Sequence, residues 1–285
     1  MKPTIAVTGC NGQLGWELQQ LASAFPTYQF IFTDRSSLDI SNAEVVTAFF
    51  QLHKPTFLIN AAAYTSVDKA ESDKDNAFAI NATAVGYLAA ACETFHCQFI
   101  HISTDYVFNG EGHTHYHPKD ITDPVNYYGY TKLQGELLAL QHNPSAIIIR
   151  TSWVYSKHGN NFVKTMVRLM NEKDSINVVV DQTGAPTYAK DLAEAFLSII
   201  QSKTGGNSNF GIYHYSNKAE ITWYDFATAI QRFTKSNCTV NPIPTTAYPT
   251  PAKRPKYAVM DCQKIVTDFG IVLKDWESSL EACLK

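Results

Sequence analysis

Apolar residues along this chain recur in two rhythms. Short runs rich in β-branched and aromatic residues occupy Thr4–Thr8, Gln29–Thr33, Phe57–Asn60, Gln98–Ser103 and Ala146–Arg150. They are apolar on both faces, as strands of a parallel sheet covered by helices must be. Between them apolar positions return every three or four residues, as at Leu14, Leu18 and Leu21, the stripe of a helix with one face in a core. Ser41-Asn-Ala-Glu44 fits a capping box opening the helix after the second run. The alternation predicts an α/β fold with a doubly wound parallel sheet of the Rossmann type.

After Arg150 the rhythm changes. A Gly/Asn-rich patch at Gly159–Asn161, a helical stretch over Phe162–Met170 and a proline-rich segment over Pro242–Pro255 predict a smaller mixed α/β lobe. Val178–Val180 reads as a strand and Leu192–Ile200 as a helix. The expected organisation is a dinucleotide-binding domain over 1–154, with 178–202 returning to it, and a mainly substrate-binding lobe over 155–285. No repeat or low-complexity linker interrupts it.

Composition narrows the class. With 45% hydrophobic and 17% charged residues the chain is an ordinary folded protein, and its net charge of −3 supplies no field to hold nucleic acid. Cys10, Cys92, Cys97, Cys238, Cys262 and Cys283 are scattered without a C-x-x-C pair, so packed, reduced thiols are expected. The opening Met1–Thr8 carries no export signal and no run of about 18 apolar residues occurs, so no membrane contact and a cytoplasmic location are expected. Asn81-Ala-Thr83 and Asn237-Cys-Thr239 match the glycosylation pattern but should then stay unmodified. His113, His115 and His117 read as solvated loop residues rather than metal ligands, and Trp223 and Tyr224 as aromatics buried at a helix start.

The chemistry begins at Gly9-Cys-Asn-Gly12-Gln-Leu-Gly15, which joins the first strand to the first helix. Glycines there permit positive φ and close backbone approach, and the helix N-terminus offers free N–H groups to a pyrophosphate. Gly9, Asn11, Gly12, Gln13, Leu14 and Gly15 are the candidate cradle. Asp34 closes the second strand, where a carboxylate meets the adenosine ribose; its neighbour Arg35 suits a 2′-phosphate, so NADH and NADPH both remain open. Asp39 and Ile40 either line an adenine pocket or form a turn before the next helix.

Tyr128 and Lys132 stand four apart on one helix face. A phenol is a poor proton donor or acceptor at neutral pH, and a nearby ammonium is expected to lower its pKa. Ser103-Thr104-Asp105 ends the fourth strand at the carboxyl edge where doubly wound sheets bind ligands, and Thr104 is the candidate to hold a reacting oxygen.

The glycine loop, Tyr128-x-x-x-Lys132 and the strand-end Ser103-Thr104 resemble the extended short-chain dehydrogenase/reductases. Asn60-Ala-Ala-Ala-Tyr-Thr-Ser-Val-Asp68-Lys-Ala-Glu71, Ser103-Thr-Asp-Tyr-Val-Phe108, Arg150-Thr-Ser-Trp-Val-Tyr155, Gly159-Asn-Asn-Phe162, Asp181-Gln-x-Gly-Ala-Pro-Thr187 and Tyr248-Pro-Thr-Pro-Ala-x-Arg-Pro255 resemble the dTDP-4-dehydrorhamnose reductase family over nearly the whole chain. The resemblance implies NAD(P)H-dependent reduction of the C4 ketone of a dTDP-linked 6-deoxy keto sugar, with Thr104, Tyr128 and Lys132 catalytic. It implies that Ala62, Ala63, Tyr64 and Thr65 flank the cofactor, and that Thr104, Asp105, Tyr128 and Trp153 meet the sugar nucleotide. A homodimer is one candidate assembly, and the sequence leaves the oligomeric state open. Some relatives hold Mg2+ at a subunit contact, but no ligands for it map onto this chain. A 4,6-dehydratase resembles the family but carries Glu where this chain has Tyr106. A 4-epimerase of the same fold, and a noncatalytic subunit resembling that of methionine adenosyltransferase, are the other readings; the intact Thr104, Tyr128 and Lys132 set disfavours the latter.

Overall fold

The structure is a computed structural model and describes residues 2–285. Five strands alternate with helices in its first half: β1 (Thr4–Thr8), α1 (Gln13–Leu21), β2 (Gln29–Thr33), α2 (Ala43–His53), β3 (Phe57–Asn60), α3 (Val67–Ala70), α4 (Lys74–Phe78), α5 (Ala84–Thr94), β4 (Gln98–Thr104), α6 (Tyr127–His142) and β5 (Ile147–Thr151). The second half adds β6 (Val154–Tyr155), α7 (Phe162–Glu172), β7 (Ser175–Val179), β8 (Thr183–Gly184), β9 (Thr187–Tyr188), α8 (Ala189–Thr204) and β10 (Gly211–His214). It ends with β11 (Ile221–Thr222), α9 (Trp223–Thr234), β12 (Thr239–Ile243), α10 (Gln263–Phe269) and α11 (Trp276–Leu284).

The main sheet has the order β10-β5-β4-β3-β1-β2, and every pairing in it is parallel. Successive residues of each strand enter opposite cores, as the two-residue period demands. Ile5, Val7, Ile59, Ile100, Ile147 and Ile149 pack with α1 and α8 on one face. Ala6, Leu58, Phe99 and Ile148 pack with α2 and α5 on the other. Each large side chain removed from water in this way contributes about 1.5–3 kcal/mol, which is why the central strands turn neither face to solvent.

Two expectations change. The cap of α2 is Asn42, whose side chain accepts from the Glu44 and Val45 N–H groups at 2.9 and 3.2 Å, so no Ser41–Glu44 capping box forms. Ser41 is held instead by Asp39, to which its hydroxyl donates at 2.6 Å, because Asp39 forms its own turn first. The strand expected at 178–180 is β7, and it pairs with β12 outside the main sheet. Its Ile176 and Val178 are buried between exposed Ser175 and Asn177, a one-sided strand suited to the lobe. The chain returns to the main sheet through α8, which packs on α1, and β10, which pairs with β5. The lobe has its own core, built from α7, β7, α9 and α11 around Phe226, Ile230 and Leu280.

Candidate functional site

The loop between β1 and α1 is shaped by its glycines. Gly9 has φ +68°, and a Cβ there would stand 2.6 Å from the Ala62 nitrogen; one on Gly15 would collide with the Gly9 oxygen. Gly9 lets the loop press onto the segment after β3, and Gly15 lets α1 close onto the loop. Gly12 has only one neighbour within reach, the Gly9 oxygen at 3.3 Å, and caps α1 with no side chain on the helix's free N–H groups. This is a cradle open to an anion. Residues 156–161 cover it from the second half: Asn161 donates to the Gln13 side chain at 2.9 Å, Gln13 donates to the Val154 carbonyl at 3.3 Å, and the His158 ring meets the Asn11 carbonyl at 3.0 Å. Leu14 points the other way, into the core.

Asp34 lies at the end of β2, and its Oδ1 accepts from the N–H and hydroxyl groups of Ser36 and Ser37 while Asn11 donates to Oδ2 at 3.2 Å. The Ser36 and Ser37 donors hold its carboxyl well below the usual range. Arg35 is exposed beside it. Asp39 accepts from Ser41 in a turn and Ile40 is buried in the core facing α2, so the turn role is visible at these two positions. Ala62 donates its N–H toward Asn60 Oδ1 at 3.3 Å. Tyr64 is held at both backbone groups by Asn81, whose Oδ1 accepts at 2.8 Å and whose Nδ2 donates at 3.0 Å. Asn81, considered in the sequence only as a glycosylation pattern, is fully buried in a wide helical turn over Ala79–Thr83. Ala63 and the exposed Thr65 continue this loop.

At the carboxyl edge of β4 the Thr104 hydroxyl donates to Asp105 Oδ1 at 2.9 Å and accepts from the Tyr106 N–H at 3.2 Å. Asp105 Oδ2 is buried without a partner. Burial pushes this carboxyl up to about 7 against the pull of the Thr104 hydroxyl. The Tyr128 phenol lies beside Thr104, and burial, reinforced by Asp105, raises its pKa although the Thr104 contact opposes the rise. The expected lowering by Lys132 is absent from the phenol's shift, and the Lys132 nitrogen donates instead to the Ile102 carbonyl at 2.7 Å. Burial pulls Lys132 down to about 8, with Glu136 acting in the opposite direction. Glu136 itself is buried, accepting from Ser103 at 2.5 Å and from Arg150 at 2.7 Å.

Between β7, α7, α9 and the segment 243–254 lies a cavity of about 650 Å³, with Tyr106, Phe162, Gln182, Trp223, Tyr248 and Arg254 among its walls. Tyr106 stands edge-on to Tyr128, with ring centroids 5.7 Å apart, so the cavity borders the Thr104–Tyr128 edge. Arg254 forms a two-pronged ion pair with Asp68, both contacts at 2.7 Å, tying this segment to the first domain. Trp223 forms a cavity wall, while Trp153 stands behind it, stacked on its indole. Sequence reasoning noted the stretches carrying Gln182 and Arg254 but gave these residues no role, because their sharing of a wall comes from chain return rather than local pattern.

The model of the RmlD substrate binding domain matches this chain over residues 1–285. The chain belongs to that family. Its relatives include the dTDP-4-dehydrorhamnose reductase of Aggregatibacter actinomycetemcomitans, 42% identical over 97% of each chain. The solved dTDP-4-dehydrorhamnose reductase of Clostridium acetobutylicum superposes with a TM-score of 0.94 at 41% identity, covering 99% of this chain and 98% of its own. That of Bacillus anthracis, solved in complex with NADP, superposes with a TM-score of 0.93 at 37% identity, covering 100% and 99%. In this member of the RmlD family no three His, Cys, Asp or Glu side chains gather as a metal site among the described residues. His115 meets Glu220 and His117 meets Asp261 instead. No helix among the described residues is long and apolar enough to cross a membrane.

Proposed function

We propose that this chain reduces the C4 ketone of dTDP-4-dehydro-L-rhamnose (dTDP-6-deoxy-L-lyxo-4-hexulose) to dTDP-L-rhamnose with NADPH or NADH, the last step in forming that activated sugar. The observation that supports the reading is the contact of Tyr128 with Thr104, next to Tyr106, which stands edge-on to Tyr128 and lines the 650 Å³ cavity. The reductant, when bound, supplies a hydride to the carbonyl carbon. Gly9, Gly12 and the first turn of α1 hold its pyrophosphate, Asp34 and Arg35 address its adenosine end, and Lys132 its nicotinamide ribose.

Tyr128 gives its proton to the carbonyl oxygen, and a phenol whose pKa is raised arrives at the reaction protonated, as an acid in the reductive direction must. Thr104 turns its hydroxyl from Asp105 to the substrate oxygen as negative charge develops there. Arg254 meets the diphosphate, and Phe162 and Trp223 offer flat apolar surface to the base or the 6-methyl group. A nucleotide sugar and a nicotinamide reductant are both pools of the cytoplasm, where we place the chain.

The experiment is to follow NAD(P)H consumption with a panel of keto nucleotide sugars and identify the product. Stoichiometric dTDP-L-rhamnose from the dTDP-linked keto sugar is expected. No consumption with any of them would leave a noncatalytic binding subunit, and light scattering on the same sample reads whether the chain is a homodimer.

A further inference from the structure

A row of buried polar side chains crosses the main sheet beneath the site. Thr8, Asn60 and His101 are register partners on β1, β3 and β4, so they project from the same face in line, and Lys132 reaches the end of the row from α6. All four are at most 2% exposed. Such a row is costly to bury unless each member is paired, and here the pairing has a direction.

The direction follows from donor and acceptor chemistry. The Thr8 hydroxyl donates to Asn60 Oδ1 at 2.6 Å and the Ala62 N–H addresses the same oxygen at 3.3 Å. The Asn60 amide nitrogen is therefore turned toward His101 Nδ1, 3.0 Å away, and donates to it. An imidazole whose Nδ1 accepts carries its proton on Nε2. Burial and the neighbouring Lys132 both keep the ring neutral, well below its usual pKa. Nε2–H then faces the Lys132 nitrogen at 3.3 Å. An ammonium has three donors and no lone pair, so it meets this N–H as donor against donor; a neutral amine accepts it while still donating to the Ile102 carbonyl at 2.7 Å.

We propose that His101, oriented by Asn60, is a positioning residue for Lys132: its Nε2–H fixes the lysine nitrogen against β4 and favours the neutral amine over the ammonium. The proposal rests on the reading of Lys132 as part of the reductase site. The other charged groups around the lysine are Glu136, one turn along α6 and favouring the ammonium, and Arg150 on β5, whose charge is matched by Glu136. Tyr128, one turn earlier, is the remaining titratable neighbour on α6. Burial already draws Lys132 down to about 8, and the imidazole N–H acts in the same direction. Because Asn60 also receives the Ala62 N–H, the row links the cofactor loop to the lysine.

The test titrates Lys132 directly, by NMR of the full-length protein grown with Cε-labelled lysine and assigned by loss of one resonance in Lys132→Met. His101→Leu keeps the burial but removes the N–H, and should move the Lys132 midpoint up by about one unit. His101→Gln can accept from Asn60 with its oxygen and donate to Lys132 with its nitrogen, and should leave the midpoint near that of the wild type. Asn60→Asp draws the ring proton to Nδ1, turns Nε2 into an acceptor for the ammonium, and should move the midpoint up. An unchanged midpoint in both His101→Leu and Asn60→Asp overturns the proposal, as does a Gln variant that behaves like Leu. If His101→Leu does not fold, the contrast between His101→Gln and Asn60→Asp decides alone. The pH profile of kcat for ketone reduction is recorded on the same variants: its alkaline limb should move with the midpoint. A midpoint that moves while the profile does not supports the positioning of Lys132 and refutes its catalytic assignment instead.

Discussion

Trp153 and Trp223 stack face to face, with ring centroids 3.6 Å apart and planes 15° from parallel. Only Trp223 lines the cavity; Trp153 backs it, with φ 46° and its indole so close to Gly184 that a Cβ there would come within 2.7 Å. Trp153→Ala removes a half-buried indole, so it should cost less than the about 3–5 kcal/mol of a fully buried aromatic and also raise KM by loosening Trp223. Trp223→Ala should raise KM with the smaller drop in Tm. Melting curves and KM for both variants check this, and a Trp153→Ala protein with unchanged Tm and raised KM would put Trp153 in direct contact with substrate.

Tyr128→Phe keeps the ring that stands edge-on to Tyr106 and removes the proposed proton donor. Turnover should fall by about 10²–10⁴-fold while NAD(P)H binding stays near normal. Retention of most of kcat would assign proton transfer to another group, and Asp105 is the nearest alternative.

Asp105 ties stability to pH. Its carboxyl keeps a proton up to about pH 7 in the folded chain, against an ordinary value of 3.8. Below 3.8 both folded and unfolded chains hold the proton; between that value and about 7 only the unfolded chain releases it. The associated stability is thus full at low pH and is lost as pH rises through about 7. Asp105→Asn cannot ionise, so its Tm relative to the wild type should rise between about pH 4 and about pH 7 and stay level above that. A difference that does not vary with pH sinks this account.

The glycine loop separates folding from binding. Gly9→Ala forces a side chain into a left-handed backbone against Ala62, costing about 1–3 kcal/mol from the backbone alone. Gly12→Val meets little protein but fills the mouth of α1, so calorimetry should show a loss of NADPH affinity of about tenfold or more, about 1.4 kcal/mol, with Tm little changed. Equal Tm losses in both variants would contradict the division.

Glu136 and Arg150 form a buried ion pair in which both side chains are at most 3% exposed. Glu136→Leu strands the Arg150 guanidinium and should destabilise the fold by about 3–5 kcal/mol. Denaturant unfolding measures it, and a neutral result would mean that Arg150 finds water or a new partner.

The five strands of the first half, the glycine turn before α1 and the four-residue spacing of Tyr128 and Lys132 on one helix were legible in the chain, because each is a local pattern of apolar runs, turn glycines or helical period. The sequence misplaced the cap of α2 by one residue, since Ser41 and Asn42 have equal capping chemistry and only the Asp39 turn chooses between them. Partnerships between distant residues were decided by tertiary structure alone. Arg254 meets Asp68 across 186 positions and Asn161 meets Gln13 across 148, and no periodicity announces such pairs. The same holds for the ionisation of the site. The sequence placed Lys132 beside Tyr128, but packing against β4 decided that its nitrogen would be committed to Ile102 and His101, and that burial rather than the lysine would govern the phenol, because a pKa follows from solvent exclusion and contact geometry, which exist only once the chain has closed on itself.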